Sequence, residues 1–370
     1  MQIADVTPIL TRDWLHVKVT TDTGITGIGP ATFHSQLAAT AETVRQFRES
    51  LVGRDPLRPD HIWQTFFRAS SFRGAAINAA LSAIDVALWD IAGKHYGVPV
   101  HALLGGRHRD KVRMCALTLG GSIDETIDLV KTAVAEGHTA VKIDPLPSDF
   151  PMWTHSRLIQ EAVSQVGAVR ETVGPDVDIC VELHRKMTPG PAVALAQKLE
   201  QFDVLFIEDP IQPDSIQSMA EIARQINVPL ATGERFNSLY EFREILEAGG
   251  ANDIKLDVGL QGGFSQCKKI AGLAESYHAT VSPHNARGPV LTAAHVQFAA
   301  AIPNFLVLEY RHEEHDNMVK EPLKVEDGYI TLPDTPGIGI EFDEEAAAKY
   351  PYVYPAVNTA TRPDGSVAYW

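Results

Sequence analysis

Cysteine is scarce in this chain: three residues in 370, Cys115, Cys180 and Cys267, lie far apart and form no Cys-x-x-Cys pair. That argues against a disulfide framework or a zinc site and leaves buried structural thiols. Positive charge is also short, with 32 Lys and Arg against 47 Asp and Glu and a formal net charge of −15. No basic stripe is visible to displace counterions from phosphate, so no nucleic-acid partner is expected, and an anionic substrate would need a local cation. No uninterrupted apolar run approaches the roughly 18 residues that span a bilayer, and no basic stretch followed by an apolar one opens the chain. No membrane partner is therefore expected, and a cytoplasmic location is. A Gly-x-Gly-x-x-Gly turn after an early strand is also missing, which counts against a dinucleotide-binding, doubly wound sheet.

What the chain does have is glutamate at a regular interval. Three apolar runs end in one: Val177 to Glu182, Leu205 to Glu208 and Pro229 to Glu234, with 26 positions between successive glutamates. A repeat of about 25 residues is the length of one strand, one helix and two short loops, so the spacing predicts successive βα units of one barrel. Glu182, Glu208 and Glu234 would then converge at the C-terminal ends of neighbouring parallel strands. Any one such carboxylate could merely be solvated or cap the next helix. Three together repel unless a hard divalent cation joins them, and all-oxygen ligation favours Mg²⁺ or Mn²⁺ over Zn²⁺.

The period continues. Strand ends at Asp257, His284 and Glu309 follow Glu234 by steps of 23, 27 and 25 positions, and Thr139 to Ile143 reads as an earlier strand. Sustained strand–helix alternation predicts an α/β fold, a (β/α) barrel of the TIM type. The start differs in style. Leu15, Val17 and Val19 alternate with polar residues as in a half-buried strand, and Ile77, Leu81, Ile84, Leu88 and Ile91 recur as on an amphipathic helix stopped by Gly97 and Pro99. Ser122 with Glu125 forms a capping box. The expected partition is an α+β N-terminal domain over 1–111, the barrel over 112–320, and a C-terminal segment, 321–370, packing back on the N-terminal domain.

Chemistry-bearing candidates follow from strand ends. His184, two positions after Glu182 on an extended strand end, would share its face and either ligate the metal or act as a general acid. His284 beside Asp257 suits a proton-abstracting base with a fixed tautomer, the alternative being two unrelated strand-end residues facing water. Glu309 would hydrogen-bond a substrate carboxylate if protonated, or be solvated. Lys142 could lie near that carboxylate or face water. Arg185 and Lys186 would bind substrate hydroxyls or face water, Asp209 is a loop or supporting carboxylate, and the loop from Gly29 to His34 is a candidate lid or an ordinary surface loop.

Together with Ala87-Leu88-Trp89-Asp90-Ile91-Ala92-Gly93-Lys94, Leu103-Leu104-Gly105-Gly106, Phe206-Ile207-Glu208-Asp209-Pro210, Gly233-Glu234-Arg235, Gly262-Gly263 and Ser282-Pro283-His284, these residues make the chain resemble the enolase superfamily. Within it the resemblance is to the mandelate racemase subgroup and its acid-sugar dehydratases. The resemblance implies Mg²⁺ on Glu182, Glu208 and Glu234, His284 as the base paired with Asp257, and His184 as the acid. It also implies capping-domain loops around His34 and Arg73 that close over the barrel mouth, and a homo-oligomer. Two departures stand out: Glu182 replaces the more usual aspartate, and the subgroup's Lys-x-Lys is here Lys142-Ile143-Asp144. The expected reaction is loss of water from an aldonate such as gluconate or galactonate, through C2 proton abstraction and an enediolate, to a 2-keto-3-deoxy acid. A racemase or epimerase, or a non-catalytic sugar-acid-binding protein on the same scaffold, are the competing readings.

Overall fold

The computed structural model describes residues 1–32, 36–285, 288–311, 318–356 and 359–368. The N-terminal part is an antiparallel sheet of β1 (Ile3–Thr11), β2 (Trp14–Thr21) and β3 (Thr26–Ala31), covered by helices α1 (Leu37–Leu51), α2 (Pro59–Ala69) and α3 (Ala75–Tyr96). Leu15, Val17 and Val19 are buried as their alternation predicts. The outer face of β2 is not uniformly exposed, however, because the C-terminal segment covers part of it. His16 lies against Phe342 with ring centroids 4.8 Å apart, and burial lowers its pKa to about 4.

Helix α3 organises the N-terminal part. It ends where expected, with Gly97 in the left-handed conformation (φ 69°). It is not amphipathic, because it lies between the sheet and the barrel helix 263–276 and is buried along most of its length. By length and composition it is apolar enough to cross a membrane, yet 78% of its apolar window is buried inside the protein. The close fit needs glycine. A Cβ at Gly27 or Gly29 of β3 would stand 2.0 or 1.9 Å from a backbone carbonyl oxygen of α3.

Eight parallel strands then form a closed barrel: β4 (Lys111–Leu117), β5 (Ala140–Ile143), β6 (Asp178–Glu182), β7 (Phe206–Glu208), β8 (Leu230–Thr232), β9 (Asp253–Ile254), β10 (Thr280–Val281) and β11 (Leu308–Tyr310). Closure comes from Val281 pairing with Phe305 just before β11, with Leu306 N–H donating to Val281 O (3.0 Å). Cys115, Ala140, Cys180, Phe206, Ala231 and Val307 make an apolar plug inside the barrel. The barrel thus brings two of the dispersed cysteines together, with Cys115 and Cys180 Sγ atoms 3.8 Å apart as free thiols.

Seven helices of eight or more residues alternate with the barrel strands among the described residues. The first carries the expected Ser122 cap, whose Oγ accepts from Glu125 N–H, but the Glu125 carboxylate accepts from Gly121 N–H, one residue before the expected donor. After β11 the chain returns through β12 (Tyr329–Thr331), which pairs antiparallel with β4, so part of the C-terminal segment belongs against the barrel. Other parts do reach the N-terminal part: Lys18 pairs with Glu344 (2.7 Å), and Ile338 N–H donates to Asp90 Oδ1 (2.9 Å).

Asp85 of α3 joins the N-terminal part to the barrel. Its Oδ2 accepts Ser265 N–H (3.0 Å) in the first turn of helix 263–276, and Ser82 Oγ accepts Gly262 N–H (2.7 Å). A Cβ at Gly263 would stand 2.3 Å from Asp85 Oδ2, so glycine permits this contact. Asp85 Oδ1 is buried with no hydrogen bond, and burial raises the carboxyl pKa to about 7. A folded-state pKa above the unfolded one contributes stability below the unfolded value that is lost as pH rises through the folded one. Asp85→Asn should therefore lose less melting temperature between pH 5 and pH 8 than the parent. A difference worth on the order of a few kcal/mol follows from about 1.4 kcal/mol per pKa unit, and thermal melts of both proteins at the two pH values check it.

Candidate active site

The glutamates sit where the repeat predicts. Glu182 and Glu208 are register partners at the ends of β6 and β7, and Glu234 lies two residues past β8, beyond Gly233. One ligand atom from each lies within 4.8 Å of the others. Both carboxylate oxygens of Glu208 are buried without a hydrogen bond; Oε2 is 2.8 Å from Lys142 Nζ, an ion pair without directed hydrogen-bond geometry. Three converging carboxylates, one with unbonded oxygens, fit a hard divalent cation.

Lys142 is not solvated. Its ammonium is buried between Glu182 Oε2 (2.7 Å), Glu208 Oε2 (2.8 Å) and Glu309 Oε1 (2.7 Å). Burial opposes its charge, but the carboxylates outweigh that and raise its pKa well above the usual value. Lys255 adds a second buried ammonium, 2.5 Å from Glu309 Oε1 and 3.5 Å from Glu208 Oε2. Sequence reasoning passed over Lys255, although it stands two positions before Asp257 just past β9, and both side chains are buried at the strand end. Burial tends to raise the Glu309 pKa, yet the two lysines hold it well below the usual range. In this structure Glu309 is therefore an acceptor, and the protonated form considered from the sequence is not the one its neighbours favour. Glu208 is shifted the other way, raised by burial and by the charge of Glu182.

The two imidazoles occupy opposite sides of the ring, since β6 and β10 are four strands apart in an eight-strand barrel. His284 Nδ1–H donates to Asp257 Oδ2 (2.9 Å), and its Nε2 lies 3.5 Å from Glu234 Oε2. Burial lowers its pKa, but the Glu234 charge and the Asp257 hydrogen bond raise it to about 9. His184 Nδ1–H donates to Asp144 Oδ2 (2.7 Å), and the charge of Glu182 with this bond raises its pKa against burial. The extended strand end expected at His184 is replaced by a left-handed turn, with φ 44° at His184 and 61° at Arg185. The turn still leaves His184 lining the same cavity as His284, a space of about 250 Å³ that Lys142, Glu182, Glu234 and Glu309 also line.

Other candidates are placed differently. Arg185 is buried against Glu234 Oε1 (2.6 Å) and Asp209 Oδ2 (3.1 Å), and Asp209 also accepts from Thr232 Oγ1 (2.6 Å), a supporting carboxylate as expected. Lys186 Nζ donates to Asp144 Oδ2 (2.7 Å) and Leu146 O (3.1 Å) and lines a neighbouring cavity. Arg73 is exposed, with its guanidinium 4.3 Å from the centroid of the Phe67 ring, and it does not line the carboxylate cavity. His34 lies outside the described residues. Arg235 and Arg311, not singled out from the sequence for chemistry, do line the cavity. For Arg311 the available signal was its place two positions after Glu309.

A barrel with carboxylates, buried ammoniums and two oriented imidazoles at the C-terminal strand ends has the groups that proton transfer on a small anion requires. Comparison with known proteins narrows this. Residues 2–105 match the mandelate racemase/muconate lactonizing enzyme N-terminal domain, and residues 125–346 match the enolase C-terminal domain-like family. A D-galactonate dehydratase of Variovorax paradoxus is 33% identical over 372 residues, covering 96% of each chain. The D-galactonate dehydratase family member RspA of Cellvibrio japonicus is 31% identical over 402 residues, covering 100% of each. A crystal structure of an enolase from Agrobacterium radiobacter, provisionally assigned as a galactarate dehydratase and bound to sodium and L-malate, superposes with a TM-score of 0.95 at 34% identity over 100% of each chain. The chain belongs to the mandelate racemase/muconate lactonizing enzyme family of the enolase superfamily. Its matched relatives place it among that family's dehydratases, which are hydro-lyases.

The Lys142 cluster yields a direct test. Removing one partner of a buried ion pair typically costs about 3–5 kcal/mol, because the remaining charge is left uncompensated. Lys142→Met should therefore melt well below the parent in chelator, and a divalent cation should restore part of the difference. Differential scanning calorimetry with and without added metal checks both statements.

Proposed function

We propose that this enzyme removes water from an aldonate, with galactonate and gluconate the first candidates, to give a 2-keto-3-deoxy acid. The observation that carries the proposal is the pair of oriented imidazoles, His284 on Asp257 and His184 on Asp144, lining one cavity from opposite sides beside three carboxylates. His284 is the base: the Asp257 carboxylate holds its proton on Nδ1, which leaves Nε2 to take the proton from C2. Glu182, Glu208 and Glu234 would hold Mg²⁺, which when bound supplies positive charge to the substrate carboxylate and 2-hydroxyl and so acidifies C2 and stabilises the enediolate. That charge beside Glu234 would also remove part of what raises the His284 pKa, returning the imidazole toward its neutral form.

His184 is the acid. The Asp144 carboxylate, bonded to Nδ1–H, favours its protonated form, and it delivers that proton to the departing 3-hydroxyl from the side opposite the base. Lys142 pairs with Glu182, Glu208 and Glu309, which holds Glu182 and Glu309 ionised and offsets part of the rise at Glu208, and it presents a donor to the cavity. Asp144 stands where the racemases carry the second lysine, and it orients His184 and binds Lys186, which supports dehydration over racemisation. Lys186, Arg73 and His34 stay as proposed substrate contacts, although in this conformation Lys186 is held by Asp144. The domain partition at 111 and 320, a cytoplasmic location and a homo-oligomer belong to the same proposal, the last supported by the family resemblance.

The purified protein with Mg²⁺ should turn over one or two members of an aldonate and aldarate panel, detected colorimetrically as 2-keto-3-deoxy acid. His284→Asn should abolish C2 proton exchange in D₂O, whereas His184→Asn should retain exchange and lose dehydration by about 10²- to 10⁴-fold. Exchange with inverted substrate and no keto acid would replace dehydration by epimerisation. Tight binding without exchange or turnover would indicate a non-catalytic member.

Metal binding has its own measurement. A ligand at 100 times its Kd stabilises the folded state by about 2.7 kcal/mol, so Mg²⁺ should raise the melting temperature of the parent. Glu208→Gln should show little or no rise. An equal rise in both proteins would remove Glu208 from the metal site.

A further inference from the structure

His295 lies on the helix Pro289–Ala300, completely buried. Its Nε2 accepts Val258 N–H (3.1 Å), and its Nδ1 meets Asn285 Oδ1 (3.1 Å). A backbone N–H only donates and an amide oxygen only accepts, so the geometry requires a neutral imidazole with its proton on Nδ1. The Asn285 amide is oriented independently, since Nδ2 donates to Glu309 O (2.7 Å) and to Thr292 Oγ1 (3.0 Å). Burial lowers the His295 pKa to about 4, in keeping with the neutral form.

The two residues that His295 joins are neighbours of the proposed base pair: Val258 follows Asp257, and Asn285 follows His284. Strands β9 and β10 are short, and the ladder between them continues through Ser282 N–H to Ile254 O (3.1 Å) and His284 N–H to Leu256 O (2.9 Å). At the next positions His295 spans the gap with its ring. Asn285 carries the connection onward, its N–H donating to Glu309 Oε2 (3.0 Å). One imidazole thus ties together the ends of the sixth and seventh strands and, through Asn285, reaches the eighth.

We propose that His295 is a positioning residue that sets the spacing between Asp257 and His284, so that Nε2 of the base meets the C2 proton. It does not touch substrate or the proposed metal ligands. The inference rests on His284 being the base, as proposed above. Supporting groups of this kind typically contribute about 10- to 100-fold, and misplacement of a reacting group by about 1 Å has a similar cost. The expected signature is a fall in kcat with KM little changed, because substrate contacts and metal ligands are untouched while the proton-transfer geometry is disturbed.

The test compares the parent, His295→Phe, His295→Gln and His284→Asn for steady-state dehydration and for C2 hydrogen exchange in D₂O. Phenylalanine fills the volume and removes both hydrogen bonds; glutamine can still offer an acceptor to Val258 N–H. His295→Phe should lose roughly 10- to 100-fold in kcat and in exchange rate, with KM within about twofold, and His295→Gln should recover most of the loss. His295→Asn, which can keep the Asn285 contact but does not reach Val258, is the second variant should melting show that the phenyl ring prevents folding, and the same loss in kcat is expected of it. A parent-like kcat in the phenylalanine or asparagine variant overturns the inference, as does equal impairment of the phenylalanine and glutamine variants or a loss confined to KM. Unchanged exchange in His284→Asn, or a parent with neither turnover nor exchange, overturns the proposed function instead and the inference with it.

Discussion

Everything at the mouth of this barrel depends on compensating buried negative charge. Glu182, Glu208 and Glu309 are almost fully buried, and Glu234 nearly so. Left alone they would repel and shed their ionisation. Lys142 touches three of them, Lys255 two, and Arg185 is paired to the fourth. The balance is uneven: Glu309 and Glu182 are held well ionised, whereas Glu208 is pushed the other way and keeps two unbonded oxygens. The lysines make the folded chain tolerable and leave a deficit of positive charge where a divalent cation fits.

The barrel wall supports this electrostatics mechanically. An apolar plug of Cys115, Ala140, Cys180, Phe206, Ala231 and Val307 fills the interior, so the charged side chains are confined toward the strand ends. Gln261 then connects those ends, accepting from Asp257 N–H while its amide donates to Gly233 O (3.3 Å), Glu234 O (3.2 Å) and Phe236 O (2.8 Å). His295 plays a comparable part between the sixth and seventh strands. Buried amides and imidazoles, whose partners must all be satisfied, fix distances that apolar packing alone would leave loose.

Helix α3 joins the N-terminal part to that frame. Its Asp85 and Ser82 accept from the start of helix 263–276, which follows the strand leading to Asp257. Its Asp90 accepts from Ile28 N–H of β3 (3.0 Å) and from Ile338 N–H of the C-terminal segment (2.9 Å). The sheet, the barrel and the returning segment thus meet on one helix.

Periodicity in the sequence determined the barrel, because a strand, a helix and two loops occupy a nearly constant length and leave their strand-end residues at a constant interval. It thereby determined that Glu182, Glu208, Glu234, Asp257, His284 and Glu309 would share one rim, and the resemblance of their motifs indicated the family. Tertiary structure alone decided which charges face one another. Lys142 and Lys186 both looked free to meet substrate or water, yet one is enclosed by glutamates and the other is held by Asp144, since neither depth nor cross-strand neighbours are written in a single strand's pattern. The left-handed turn at His184, the covered face of β2 and the burial of Lys255 and His295 are of the same kind. Each follows from segments remote in sequence arriving at one place, and no local propensity encodes that.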